Sequence, residues 1–143
     1  MHNRRAPMRA FRNWLVLACG IFGLTAWGYH AWLQASPKKV LVIVDGSYPM
    51  AAVWDQIPPL LRSMTGARYT LYALATDKGL IHSWQPKLEL NAVRPYAPRQ
   101  LTDLPQRLQV PERAQATKIE LITNAAANEL PTGTGWRVLR LGR

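Results

Sequence analysis

The apolar positions of this 143-residue chain fall into one long block and several short ones. The long block, residues 14–33, reads WLVLACGIFGLTAWGYHAWL and carries no formal charge. About 20 such residues in a helix are enough to cross the hydrocarbon of a bilayer. Trp14 stands at one end, and Trp27, Tyr29 and Trp32 crowd the other. Amphipathic rings settle at the headgroup level, so these four rings form the expected membrane anchor. His30 falls beside the second belt as an interfacial residue. The pattern predicts a basic tail over 1–13, a transmembrane helix over 14–35 and a single domain over 38–143.

The short blocks are strands and turns. Val40-Leu41-Val42-Ile43-Val44 is an unbroken, mostly β-branched run, the mark of a central strand buried on both faces. Residues 50–65 have a helical pattern that Pro58-Pro59 interrupts, which predicts either a helix over 50–56 with a second turn from Pro58 or a loop leading into a helix over 58–65. Residues 68–76 and 80–84 predict a hairpin across Asp77-Lys78-Gly79. The second of these strands is more polar and ends at Pro86, which suits a sheet edge. Residues 87–117 hold four prolines and predict one short helix near 100–108, limited by Pro105, in a segment that crosses a sheet face. Further strands are expected over 118–123 and 136–141, with a helical turn over 125–130 between them. The order predicts an α/β domain with a mixed, mostly parallel five-stranded sheet, the first strand central and the hairpin to one side.

Charge adds an orientation. Arg4, Arg5, Arg9 and Arg12 precede the apolar block, and Lys38 and Lys39 follow it. The excess of bases on the amino-terminal side places that end in the cytoplasm and the domain in the periplasm or another extracytoplasmic space. Two processing routes compete with a retained anchor. A cleaved signal peptide has a shorter apolar core of about 7–15 residues and a small-x-small site, which Leu33-Gln34-Ala35 matches poorly. Val16-Leu17-Ala18-Cys19 has a faint likeness to a lipoprotein site, but only five apolar residues separate Asn13 from Cys19, and strongly apolar sequence continues after it.

Candidate chemistry is sparse. The bases of the domain are scattered rather than striped, which argues for a solvated surface and against a nucleic-acid partner. Cys19 is the only cysteine, so no internal disulfide and no thiolate metal site is available. No nucleophile-elbow, zinc-protease or phosphate-loop motif is present. Asp45 and Asp103 are conceivable as an acid–base pair, but nothing in the sequence fixes their separation. The informative place is the end of the first strand, Asp45-Gly46-Ser47, because open α/β sheets form ligand sites at the carboxyl ends of their strands. A plainer role for the same residues is a capped turn, in which short polar side chains satisfy free backbone donors.

A hydrophobic strand ending in Asp45-x-Ser47, followed by a helix, a hairpin and the strand Ile119-Glu120-Leu121-Ile122-Thr123-Asn124, resembles the von Willebrand factor A domain. The resemblance covers roughly residues 38–143 and implies a Rossmann-like α/β module that binds other proteins. It also implies a divalent-metal site, the MIDAS, at the carboxyl edge of the sheet. The family pattern Asp-x-Ser-x-Ser is met by Asp45 and Ser47, but Pro49 replaces the last serine. Thr102 is the only candidate for the family's crossover threonine, and Asn124 stands where the family has an aspartate. A site left with one charged ligand is poor for Mg²⁺, which takes near-octahedral oxygen ligation, so no cofactor is expected and Mg²⁺ is the alternative, held by Asp45 and Ser47. The domain is short for the family, and its sheet is expected to be truncated and half covered, exposing apolar surface to a partner.

The expectation for function is a single-pass, membrane-anchored, non-catalytic accessory subunit. Its partners would be the bilayer and other membrane or extracytoplasmic proteins, contacted through Asp45, Ser47, Tyr48 and Asn124. A metal-dependent binding module of the same fold and, more remotely, a small hydrolase using Asp45 are the alternatives.

Overall fold

The computed structural model describes residues 6–90 and 92–142, so Arg4 and Arg5 lie outside the described residues. The chain divides into two compact units, Met1–Pro37 and Lys38–Arg143.

The first unit is one helix, α1, over Ala6–Ala35. It begins upstream of Trp14, so part of the expected basic tail is helical. Its stretch Phe11–Ala35 is long and apolar enough to cross a membrane, about 37 Å at 1.5 Å per residue. Phe11, Trp14, Phe22, Leu24, Trp27 and Trp32 are all exposed on it. Its one hydroxyl threonine is satisfied without water, since Thr25 Oγ1 donates to the Ile21 and Phe22 carbonyls at 2.9 and 3.0 Å. That economy is what a hydrocarbon surrounding demands of a polar side chain.

The second unit is a five-stranded sheet in the order β3-β2-β1-β4-β5. The strands are β1 Lys38–Val44, β2 Thr70–Thr76, β3 Gly79–Gln85, β4 Lys118–Thr123 and β5 Arg137–Arg140. All neighbouring pairs run parallel except β2–β3, the hairpin. β1 is central because its β-branched and leucine side chains feed both faces: Leu41 and Ile43 point one way, Val42 and Val44 the other, and all four are fully buried. The edge strand β3 is partly exposed and carries register shifts against β2, both of which blunt an open edge.

On the face of Val42 and Val44, a 3-10 helix over Tyr48–Gln56 runs directly into α2, Ile57–Met64. The junction is dictated by Pro58 and Pro59: in one continuous α-helix each ring would clash with the preceding turn, whereas both suit the first turn of a new helix. Met50, Val53, Ile57 and Leu61 close this layer over Tyr72, Leu74 and Ile122.

The other face was expected to be open, and it is covered. Leu101, Leu104 and Leu108 pack on Leu41, Ile43, Ala73, Ala75 and Leu121. They are carried by the crossover, which holds two short helices, α3 over Leu104–Arg107 and α4 over Pro111–Gln115. Pro105 opens α3 instead of limiting it, and Pro111 opens α4 for the same N-terminal reason. Among the described residues of this unit, the large apolar or aromatic side chains left exposed are Tyr48, Leu80 and Tyr96.

Candidate functional site

The strand order reverses between β1 and β4: the chain leaves β1 toward β2 on one side and β4 toward β5 on the other. Such a switch point opens a crevice at the carboxyl ends of the two strands, where α/β sheets hold ligands. Here those ends supply Asp45-Gly46-Ser47 from β1 and Thr123-Asn124 from β4.

Asp45, Ser47 and Thr123 are fully buried. One oxygen of Asp45, Oδ1, accepts the Ser47 N–H at 3.0 Å, a turn closed by the aspartate's own side chain. The other, Oδ2, accepts the Thr123 hydroxyl at 2.6 Å and Arg99 Nε at 3.2 Å. The Thr123 Oγ1 in turn accepts the Ala125 N–H at 3.0 Å. The threonine that reaches Asp45 is therefore Thr123, while Thr102 sits exposed at the start of the turn before α3.

Arg99 organises the rest. Its Nε also meets Ser47 Oγ at 3.3 Å, its Nη1 donates to Glu129 Oε2 at 3.0 Å, and its Nη2 donates to Asn124 Oδ1. Its side chain is 14% exposed against 0% for Asp45, so the pair is shielded from water on the aspartate's side. Asn124 is half-buried, holds the Pro49 carbonyl through Nδ2 at 2.8 Å, and presents its backbone N–H to Met50 Sδ at 3.2 Å. Glu129, on the exposed 3-10 turn Ala127–Glu129, accepts the Ala126 N–H at 3.1 Å as well. A planar guanidinium with several fixed donors is suited to tying four such groups at once.

A second carboxylate lies beside the first. Asp77, buried at the end of β2, accepts the Gly46 N–H at 3.0 Å through Oδ1 and pairs with Lys78 Nζ at 3.0 Å through Oδ2. A Cβ on Gly46 would stand 2.9 Å from Asp77 Oδ1, so this close approach requires glycine.

The rim of the site is aromatic. Ser47 and Ala97 form a parallel bridge, flanked by Tyr48 N–H to the Ala97 carbonyl at 2.8 Å and Tyr96 N–H to the Gly46 carbonyl at 3.1 Å. These bonds bind the loops of Tyr48 and Tyr96 together while both rings stay exposed, at 60% and 56%. Of the four residues expected to meet a partner, Tyr48 is at the surface, Asn124 is half-buried, and Asp45 and Ser47 are beneath them. The sequence reading missed Arg99, Asp77 and Tyr96.

The donor set fits a hard dication poorly. The two groups the motif offers, Asp45 and Ser47, already share a protein cation, and no group of three or more His, Cys, Asp or Glu suited to a metal exists among the described residues. Two open grooves of about 520 and 660 Å³ share Pro58 and Leu90, the first running along α2 and residues 87–90, the second between the 3-10 helix and residues 92–95. Each has a single lining carboxylate, Glu89 or Asp55, with Arg62 and Lys87 or Arg94 also in the wall. Compared with protein-family models, curated proteins and solved structures, the chain matches none.

Proposed function

We propose that the chain is a single-pass, membrane-anchored, non-catalytic interaction subunit whose domain, a reduced relative of the von Willebrand factor A module, docks another protein at the carboxyl edge of its sheet. α1 serves as the anchor, with the amino terminus cytoplasmic and the domain extracytoplasmic, on the strength of the four leading arginines. The observation that carries the reading is the pair Tyr48 and Tyr96, exposed at the start of the 3-10 helix and on the loop bonded to it at the switch point of the sheet. Rigidly held tyrosines offer large contact area at small entropic cost and are enriched in protein interfaces. Below them, Asp45 is fully buried and accepts from Ser47, Thr123 and Arg99, which supports a structural role for it under the rim. Asp103, the other half of a conceivable acid–base pair, is exposed next to α3.

The test is co-purification of the full chain from its native membranes beside the double variant Tyr48→Ala, Tyr96→Ala. A protein retained by the parent chain and lost with the variant, at unchanged stability, is the expected result. Identical retained proteins in both would refute the docking edge. In the metal-dependent alternative, Mg²⁺ or Mn²⁺ must displace Arg99 from Asp45 and Ser47. Titration calorimetry on the full chain in detergent is expected to show no binding heat, and a saturable heat would favour that alternative.

A further inference from the structure

The opposite end of the sheet has a different composition. Lys38 and Lys39 open β1, Lys118 opens β4, and Arg68 lies in the turn before β2. The register puts them at one edge: Lys38 pairs with Thr70, Val40 with Lys118, and Lys38 N–H donates to the Tyr69 carbonyl at 2.8 Å. Lys38, Arg68 and Lys118 are exposed and Lys39 is half-buried. The carboxylates near this end are covered: Glu120 is 5% exposed and paired with Lys118 and Arg137, and Glu112 is 7% exposed and accepts the Ser83 hydroxyl. Glu89 is exposed and lies two positions from Lys87 in the chain.

Aromatic rings are interleaved with these cations. Lys39 Nζ lies 5.3 Å from the Trp84 ring centroid and Arg68 lies 5.6 Å from that of Tyr69; Arg113 and Trp136 repeat the pairing at 5.7 Å on the approach to β5. Trp84 Nε1 and Lys39 Nζ share Gln115 Oε1 as acceptor, at 3.1 and 2.7 Å, which fixes their relative position. Tyr69 holds a φ of +56°, a left-handed conformation in which a bulky residue is uncommon. An aromatic ring is thus kept beside Arg68 where glycine would fit more easily.

We propose that this amino edge, Lys38, Lys39, Arg68 and Lys118 with Trp84 and Tyr69, is a docking surface for anionic phospholipid headgroups. Lysine and arginine attract acidic lipid, while tryptophan and tyrosine prefer the headgroup level, so the two residue classes found together here match one environment. The inference rests on the reading of α1 as a membrane anchor. Lys38 follows Ala35 by two intervening residues in the chain, so a membrane that takes α1 brings headgroups within covalent reach of this edge. Each base contributes roughly fivefold to the docking equilibrium at an anionic surface; with Lys118 ion-paired to Glu120, the other three together contribute roughly a hundredfold.

The experiment uses the full chain with Cys19→Ala and one new cysteine, Ala67→Cys at this edge or Asn128→Cys at the other. Both are labelled with a fluorophore and reconstituted in phosphatidylcholine vesicles with or without phosphatidylglycerol, with a headgroup-attached nitroxide quencher. Expected is strong quenching at position 67 in the anionic vesicles only. It should be lost in about 0.5 M salt, where the screening length falls to a few ångströms, and in the variant with Lys38, Lys39, Arg68 and Lys118 all changed to Ser. Position 128 should stay unquenched. Quenching at 67 that is equal in neutral and anionic vesicles, or indifferent to salt, overturns the proposal. So does a label unquenched in both, the result expected if the edge serves an acidic protein. A chain that fails to co-float with neutral vesicles sinks the anchor and the docked edge together, whereas one that co-floats without the charge effect sinks only this inference.

Discussion

At the carboxyl ends of β1 and β4, a buried carboxylate is met by a guanidinium that the crossover delivers from far along the chain. At the amino ends of the same strands, exposed cations stand beside aromatic rings, and the nearby acids Glu112 and Glu120 are turned inward. One end spends its charges on itself; the other, apart from the pair Lys118–Glu120, leaves Lys38 and Arg68 at the surface. Charges neutralised inside the protein hold loops in place, as Asp45 and Arg99 do beneath Tyr48 and Tyr96, the rim proposed to meet a partner. Charges left outward act through long-range attraction and are sensitive to salt.

Arg99→Ala is expected to be the most damaging substitution at the carboxyl end. It strands Asp45 in the interior without its cation, and loss of one partner of a buried pair costs about 3–5 kcal/mol. The lower end is expected because the Arg99 side chain keeps 14% exposure; denaturant unfolding of the full chain in detergent measures it. Arg99→Lys should recover less than half of the loss, since a single ammonium cannot reproduce the guanidinium's bonds to Asp45, Ser47, Asn124 and Glu129.

Thr123→Val keeps the shape but removes the hydroxyl that donates to Asp45 and accepts from Ala125. A cost of about 1–3 kcal/mol follows, because two buried polar groups lose a partner. Gly46→Ala forces Asp77 away from a Cβ at 2.9 Å and breaks its bond to the Gly46 N–H, for about 1–2 kcal/mol. Thermal unfolding reads both. At the amino edge, by contrast, Lys38→Ser and Arg68→Ser should change stability by no more than about 0.5 kcal/mol, as exposed charges do. A large loss there would mean that the amino edge, too, uses its charges internally.

The strands were legible because their apolar runs are concentrated: Val40–Val44 and Ile119–Thr123 need no tertiary information to be recognised. The residues that close the site were not. Arg99 is 54 positions from Asp45 and looks like any of the scattered bases until the crossover folds. Thr123 was visible as the end of a strand, yet its pairing with Asp45 depends on β1 and β4 being neighbours in parallel register. The covered second face had a readable signal in Leu101, Leu104 and Leu108, spaced three and four apart as on one side of a helix. Pro105 obscured it by suggesting a stop, where the structure uses it as a start. Tyr48 and Tyr96 form one rim only through the bridge of Ser47 with Ala97, a contact between loops that no periodicity announces.

A photo-crosslinking side chain placed at Tyr48 or Tyr96 of the full chain, in native membranes, tests the docking edge most directly, with the same side chain at the exposed Ser63 of α2 as the reference. One shared protein adduct is expected from positions 48 and 96, and none of it from position 63. Adducts of the same identity and yield from all three positions, or none from 48 and 96, would contradict the docking edge.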